Sequence, residues 1–151
     1  MTKTFKFLVI AIISLLLTSC FEIECINRPE VKVNAFFYDY EKKTKAPPDS
    51  VTLHGIDNPV KIYDKQSNLS AALMPLKASE NETEFVIKIN GTADTIRFVY
   101  SNSLQLISKE CGYLTFHKID TLYYTTNEID SISLTNREIT PKSIENVAIF
   151  Y

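Results

Sequence analysis

The chain has 151 residues, with 16 basic and 18 acidic side chains and a formal net charge of −2. That mild acidity argues against nucleic acid or an anionic membrane surface as a partner. Three glycines are too few to build a phosphate-cradling loop, and two histidines leave little material for acid–base or metal chemistry.

Lys3 and Lys6 precede an apolar run at 7–17 that only Ser14 interrupts. Basic, then apolar, then small residues is the layout of a secretory signal. The run is too short to cross a bilayer comfortably, which weighs against an uncleaved membrane helix. Leu17-Thr18-Ser19-Cys20 resembles the lipobox of bacterial lipoproteins. The resemblance implies removal of the signal helix 1–19, diacylglycerol on the Cys20 sulfur and acylation of the freed amine. Without Lys3 and Lys6 the remaining 132 residues carry 14 basic and 18 acidic groups, a net of −4. That length suffices for one domain with a single core.

Residues 20–30 form a membrane-proximal tether that ends near Pro29. Phe21-Glu22-Ile23-Glu24 holds two acids but not the compact acidic run of surface-exposed lipoproteins, so the periplasmic side of the outer membrane is the expected address. Cys25 and Cys111 remain in an oxidising compartment, where a disulfide is the default. Two free thiols or a metal site are the alternatives. The metal site is poorly supported, because His54 and His117 stand in no ligand spacing with either cysteine.

From 31 to 151 the chain reads as strands. Val31, Val33, Ala35 and Phe37 alternate with Lys32, Asn34 and Phe36. Residues 41–49 hold three lysines and Pro47-Pro48, a solvated loop. Val51 and Leu53 begin a second strand that Gly55 stops or bulges. A short strand follows at 60–63, then one at 71–76 that Pro75 pushes to a sheet edge. Thr83, Phe85, Ile87 and Ile89 lead into Asn90-Gly91, which suits a type I′ turn, and Ile96, Phe98 and Tyr100 return. That turn predicts Phe85 opposite Ile96 and Thr83 opposite Phe98. Further strands are expected at 104–107, 113–124, 129–134 and 147–151, with a bulge near Lys118-Ile119-Asp120. The expected fold is an all-β antiparallel sandwich, immunoglobulin-like or Greek-key, of about eight to ten short strands. A small closed barrel is the alternative.

Little points to catalysis, a cofactor or a metal. Both histidines fall inside strand patterns, as solvent-facing or satisfied side chains rather than general bases. Asp57, Asn58 and Asp64 match no calcium loop and read as a polar turn. Tyr38, Tyr40, Tyr123 and Tyr124 exceed what one face can bury, so some are exposed and available to a sugar ring or a protein. The simpler reading is that tyrosine suits sheet surfaces, and the lack of tryptophan weakens a glycan platform.

Asp49-Ser50-Val51, Asp94-Thr95-Ile96, Asp120-Thr121-Leu122 and Asp130-Ser131-Ile132 share one form: Asp, hydroxyl, aliphatic. A turn-ending Asp before a strand explains this structurally. The form also resembles the O-glycosylation acceptor of periplasmic proteins in Bacteroides-type bacteria, which makes Ser50, Thr95, Thr121 and Ser131 candidate acceptors.

Glu110-Cys111-Gly112, Phe116-His117, Asp120-Thr121, Ile129-Asp130-Ser131-Ile132 and Glu145-Asn146-Val147, with Asp49-Ser50-Val51 and Met74-Pro75-Leu76, resemble a family of small uncharacterised Bacteroidota lipoproteins. Many members carry a second cysteine where this chain has Tyr113, which leaves Cys111 as the partner for Cys25. The resemblance implies a non-enzymatic accessory domain, held to the membrane through diacylglyceryl-Cys20, with an outer-membrane β-barrel as partner. A glycan-binding sandwich is the alternative.

Overall fold

The computed structural model describes Cys25 and residues 28–151; the expected signal segment, Cys20 and residues 21–24 lie outside the described residues. Among the described residues ten strands form two sheets. β1 (Lys32–Tyr38), β4 (Ala71–Pro75), β8 (Ser131–Leu134) and β10 (Val147–Phe150) make a four-stranded sheet in the order β4-β1-β10-β8. β2 (Val51–Gly55), β3 (Lys61–Gln66), β5 (Glu82–Ile89), β6 (Thr92–Ser108), β7 (Gly112–Tyr124) and β9 (Glu138–Ile139) make a six-stranded sheet in the order β3-β2-β5-β6-β7-β9. The chain passes back and forth between the sheets, which fastens the two layers of the expected β-sandwich together.

Alternation builds the core. Val33, Ala35 and Phe37 of β1 turn inward with Met74 and Ile149, and meet Leu53, Ile87, Ile96 and Phe98 from the other sheet. Burying each large apolar side chain contributes about 1.5–3 kcal/mol. The β5–β6 hairpin has the expected register, with Phe85 opposite Ile96 and Thr83 opposite Phe98. Its turn places Asn90 at φ 50° and Gly91 at φ 99°, the positive angles a type I′ turn needs. The bulge lies where the phase slips. Val99 faces Thr121 and Tyr100 faces Ile119, so Asp120 has no partner. That extra residue lets Leu122 and Tyr124 as well as Ile119 pack on the core. Pro75 ends β4, an edge strand of the smaller sheet.

Three features differ from the sequence reading. β1 and β10 pair in parallel, from Ala35–Val147 to Tyr38–Phe150, so the smaller sheet is not wholly antiparallel. Strands expected at 96–100 and 104–107 are one continuous β6. β9 was not expected, because two residues are too few to show an alternation.

Polar groups close the sides of the sandwich. At one side, the Tyr63 hydroxyl of β3 accepts from the Leu73 amide of β4 at 3.1 Å, joining the edge strands of the two sheets. At the other, buried Asn146 precedes β10. Its Oδ1 accepts from the Asn34 amide at 3.0 Å, and its Nδ2 donates to the Asn136 and Glu138 carbonyls at 3.4 and 3.2 Å. Its own amide donates to the Asn34 carbonyl at 2.9 Å. One side chain thus ties β1 to β9. Asn146→Ala strips a partner from enclosed backbone groups, and should lower stability by about 2–4 kcal/mol in urea unfolding. A loss under about 0.5 kcal/mol would show that this seam is held by something else.

Candidate functional site

The most distinctive local feature is a two-stranded ribbon. β5 pairs with β6 only as far as Val99, and β9 meets β7 only at His117 and Lys118. Beyond those points β6 and β7 continue as a pair for about 20 Å to the turn at 109–111. Directly paired residues share a face, so Leu104 opposite Thr115 and Leu106 opposite Tyr113 continue the inner face of the large sheet. Outside the sandwich that face is bare: Leu104 is 68 %, Leu106 58 % and Tyr113 56 % exposed. Cys111 at the turn is disulfide-bonded to Cys25, with the two Cα atoms 4.9 Å apart. Arg28 Nη2 donates to the Tyr113 carbonyl at 3.1 Å, which lays the entering chain along the ribbon end.

The ribbon is rooted in a buried polar cluster. The Tyr100 hydroxyl donates to the Lys77 carbonyl at 2.9 Å, accepts from the Lys77 amide at 3.0 Å and meets the Thr83 hydroxyl at 2.6 Å. Asn102 Nδ2 donates to the Ala78 and Glu80 carbonyls at 3.2 and 2.6 Å. Those bonds orient the amide, so its Oδ1 must accept from His117 Nδ1 at 2.6 Å. His117 is buried edge-on against Tyr100, with ring centroids 5.1 Å apart. Burial pushes its pKa below the usual imidazole value. A neutral ring fixed this way is a satisfied strand residue. His54 Nδ1 lies 2.9 Å from the Gly55 carbonyl.

The four candidate acceptors do not converge. Thr95 and Thr121 share the outer face of the large sheet, half-buried and exposed respectively. Ser131 is half-buried on β8 of the other sheet. Ser50 is half-buried before β2, and its amide donates to Asn90 Oδ1 at 3.3 Å. The repeated aspartate has a structural use at one position. Asp94 is buried within β6 and takes hydrogen bonds from the Thr125 hydroxyl (2.6 Å) and the amides of Asn127 (2.8 Å), Glu128 (2.8 Å) and Ile129 (3.0 Å). It therefore organises the β7–β8 connection.

The aromatic surface is occupied by the protein's own cations. Lys43 Nζ sits 3.7 Å from the Tyr40 ring centre, Lys45 lies 3.8 Å from that of Phe36, and Arg97 lies 4.7 Å from that of Tyr123. Two lysines of the 41–49 loop thus fold back instead of pointing into solvent. Tyr38 donates to Glu145 at 2.8 Å. Burial, and then the Glu145 carboxylate, push the Tyr38 phenol up to about 12.

The recesses differ in lining, and one of about 240 Å³ is mainly apolar, walled by Val60, Ile62, Pro75 and Phe85. A second is lined by Asp57, Lys77, Glu80, Glu82 and Arg97, another by Lys32, Asn34, Thr140 and Lys142. Asn34 Oδ1 is enclosed without a hydrogen-bond partner among the described residues. No group of three or more His, Cys, Asp or Glu among the described residues is placed to hold a metal ion. No helix among them is long and apolar enough to cross a membrane. Leu104, Leu106, Asn102 and Asp94 escaped the sequence reading as a set. Their shared parity along β6 was the available signal, hidden by treating β6 as two strands.

Residues 50–151 match the family of unknown function DUF6452, and the chain belongs to that family. No curated protein and no solved structure matches it.

The Asp94 environment has a consequence for pH. Burial pushes its carboxyl up, but the hydroxyl and three amides outweigh that and hold it below the usual carboxylate value. Its stabilisation is then complete above the unfolded value of about 4 and is lost as pH falls through the lower folded value. Asp94→Asn should lower stability at pH 7 by about 2–4 kcal/mol and flatten the acid limb of the stability–pH curve. An unchanged acid limb would show that other carboxylates govern it.

Proposed function

We propose that this DUF6452 member is a lipid-anchored lipoprotein of the cell envelope, whose sandwich works by contact rather than catalysis at the periplasmic face of the outer membrane. The observation that carries this reading is the Cys25–Cys111 disulfide. Cys20, the residue a lipobox acylates, stands five positions before Cys25. At about 3.5 Å per residue the leash between lipid and disulfide reaches at most about 18 Å. A lipid on Cys20 therefore holds the domain close to the bilayer, ribbon end first.

A contact role is supported by the contiguous bare face of Leu104, Leu106 and Tyr113. A sugar platform is disfavoured, because the exposed Tyr40 and Tyr123 rings already stack with Lys43 and Arg97. Catalysis is disfavoured by the engagement of His117 with Asn102 and its lowered pKa. The membrane partner in this reading is an outer-membrane β-barrel, to be sought by mild crosslinking in the native membrane. Recovery of no membrane protein would remove that partner.

The mass of protein extracted from membranes should show loss of residues 1–19 and a diacylglyceryl group on Cys20, and Cys20→Ser should move it to the soluble fraction. Wild-type protein recovered soluble with a free Cys20 thiol would overturn the anchor. Cys111→Ser should leave the anchor in place but lower stability by up to about 4–5 kcal/mol, the chain-entropy value for a loop of this length. Equal thiol labelling of Cys25 before and after reduction would show that the bond does not form.

A further inference from the structure

We infer that the bare inner face of the β6–β7 ribbon is a second membrane contact, with Leu104, Leu106 and Tyr113 seated at the boundary between headgroups and acyl chains. The inference rests on the anchored reading above and names the surface that the domain turns to the bilayer.

Three observations lead to a lipid surface rather than another occupant. The first is where the rest of the chain enters. Cys25 is bonded to Cys111, only two residues from Tyr113, and the 24 residues before Cys25 include the apolar run at 7–17. In the anchored reading, the chain leads from the ribbon end to a lipid on Cys20 and so to a membrane. A short leash also raises the local concentration of bilayer at this face, so a weak apolar contact is enough to hold it.

The second observation is chemical. Two leucines beside a tyrosine, whose ring is apolar and whose hydroxyl is wet, suit the interfacial region. The adjoining turn carries Lys109 and Glu110, one charge of each sign. Insertion is therefore driven by apolar area and needs no anionic lipid, in keeping with the acidic chain.

The third observation sets the depth. Among the described residues both outer edges of the ribbon lack strand partners, since β5 stops opposite Val99 and β9 reaches only His117. Unpaired backbone amides cannot enter hydrocarbon without large loss. The ribbon must lie flat, with its apolar side chains inserted and its edges among hydrated headgroups.

Those unpaired amides also report the contact. The test compares hydrogen exchange of residues 102–116 in three samples: full-length lipidated protein on zwitterionic phosphatidylethanolamine–phosphatidylcholine vesicles, the same protein carrying Leu104→Ser, Leu106→Ser and Tyr113→Ser on those vesicles, and full-length Cys20→Ser in buffer. Bilayer contact predicts exchange slower by about tenfold in the first sample alone, equivalent to about 1.4 kcal/mol. Equal exchange in all three overturns the inference. Equal protection in the first and third assigns the face to residues 21–24, and protection rising with protein concentration in the third assigns it to a second copy; either result overturns it. Co-sedimentation of the first sample separates the two readings. Protein that sediments with an unprotected ribbon loses only this inference, whereas protein that stays in solution loses the anchor. A closed Cys25–Cys111 bond in the triple variant shows that the substitutions left the ribbon end folded.

Discussion

A β-strand presents alternate side chains to opposite faces for as long as it runs without a bulge. β6 keeps its phase from Thr92 to Leu106, because the nearer register shift inserts its extra residue, Asp120, into β7. Its even-numbered face consequently spans the molecule. Asp94 holds the 125–129 connection, Ile96, Phe98 and Tyr100 fill the core, and Asn102 fixes His117 at the rim. Leu104 and Leu106 stand outside. One strand could not change face at the rim without breaking its pairing with β7. The bare apolar face is thus the continuation of the core, and the disulfide sits at its far end.

Burying apolar surface brings the two sheets together but does not choose their relative position. The chosen positions are marked by polar groups, buried at Asn146 and half-buried at Tyr63 and Asn102, each bonded to backbone of a different element. Tyr63 joins the edge strands β3 and β4, Asn146 joins β1 to β9, and Asn102 joins β6 to the connection at 78–80. A misplaced sheet would leave Asn146 unpaired in a low-dielectric interior, where the loss is larger than in water. The exposed ion pairs, such as Lys61–Asp64, contribute little by comparison.

The surface divides into covered and uncovered apolar material. On the small sheet, Lys43 and Lys45 lie over Tyr40, Phe36 and Phe150. On the large sheet, Arg97 lies over Tyr123. These contacts keep aromatic rings hydrated at their rims and unavailable as stacking platforms. The ribbon has no such cover among the described residues, and its nearest fixed point is the disulfide that receives the N-terminal chain. In the anchored reading, placement on the membrane and the bare face belong to one end of the molecule.

Short-range pattern sufficed for several elements. Alternation marked Val33, Ala35 and Phe37 as an inward face, Asn90-Gly91 set the hairpin register, and the phase slip near Asp120 located the bulge. These follow from geometry within a few residues, where steric preference and period leave a trace in the sequence. An expected oxidising compartment, with Cys20 assigned to lipid, pointed to the bond between Cys25 and Cys111 that the structure contains. The parallel pairing of β1 with β10, the two-residue β9 and the extension of β6 beyond the sandwich left no such trace. They depend on which distant segments meet once the core has closed. Ser101 to Ser108 alternates in the same way whether a second sheet covers it or not, so only the tertiary structure, by ending the small sheet short of the ribbon, decided that Leu104 and Leu106 face outward from the core they continue.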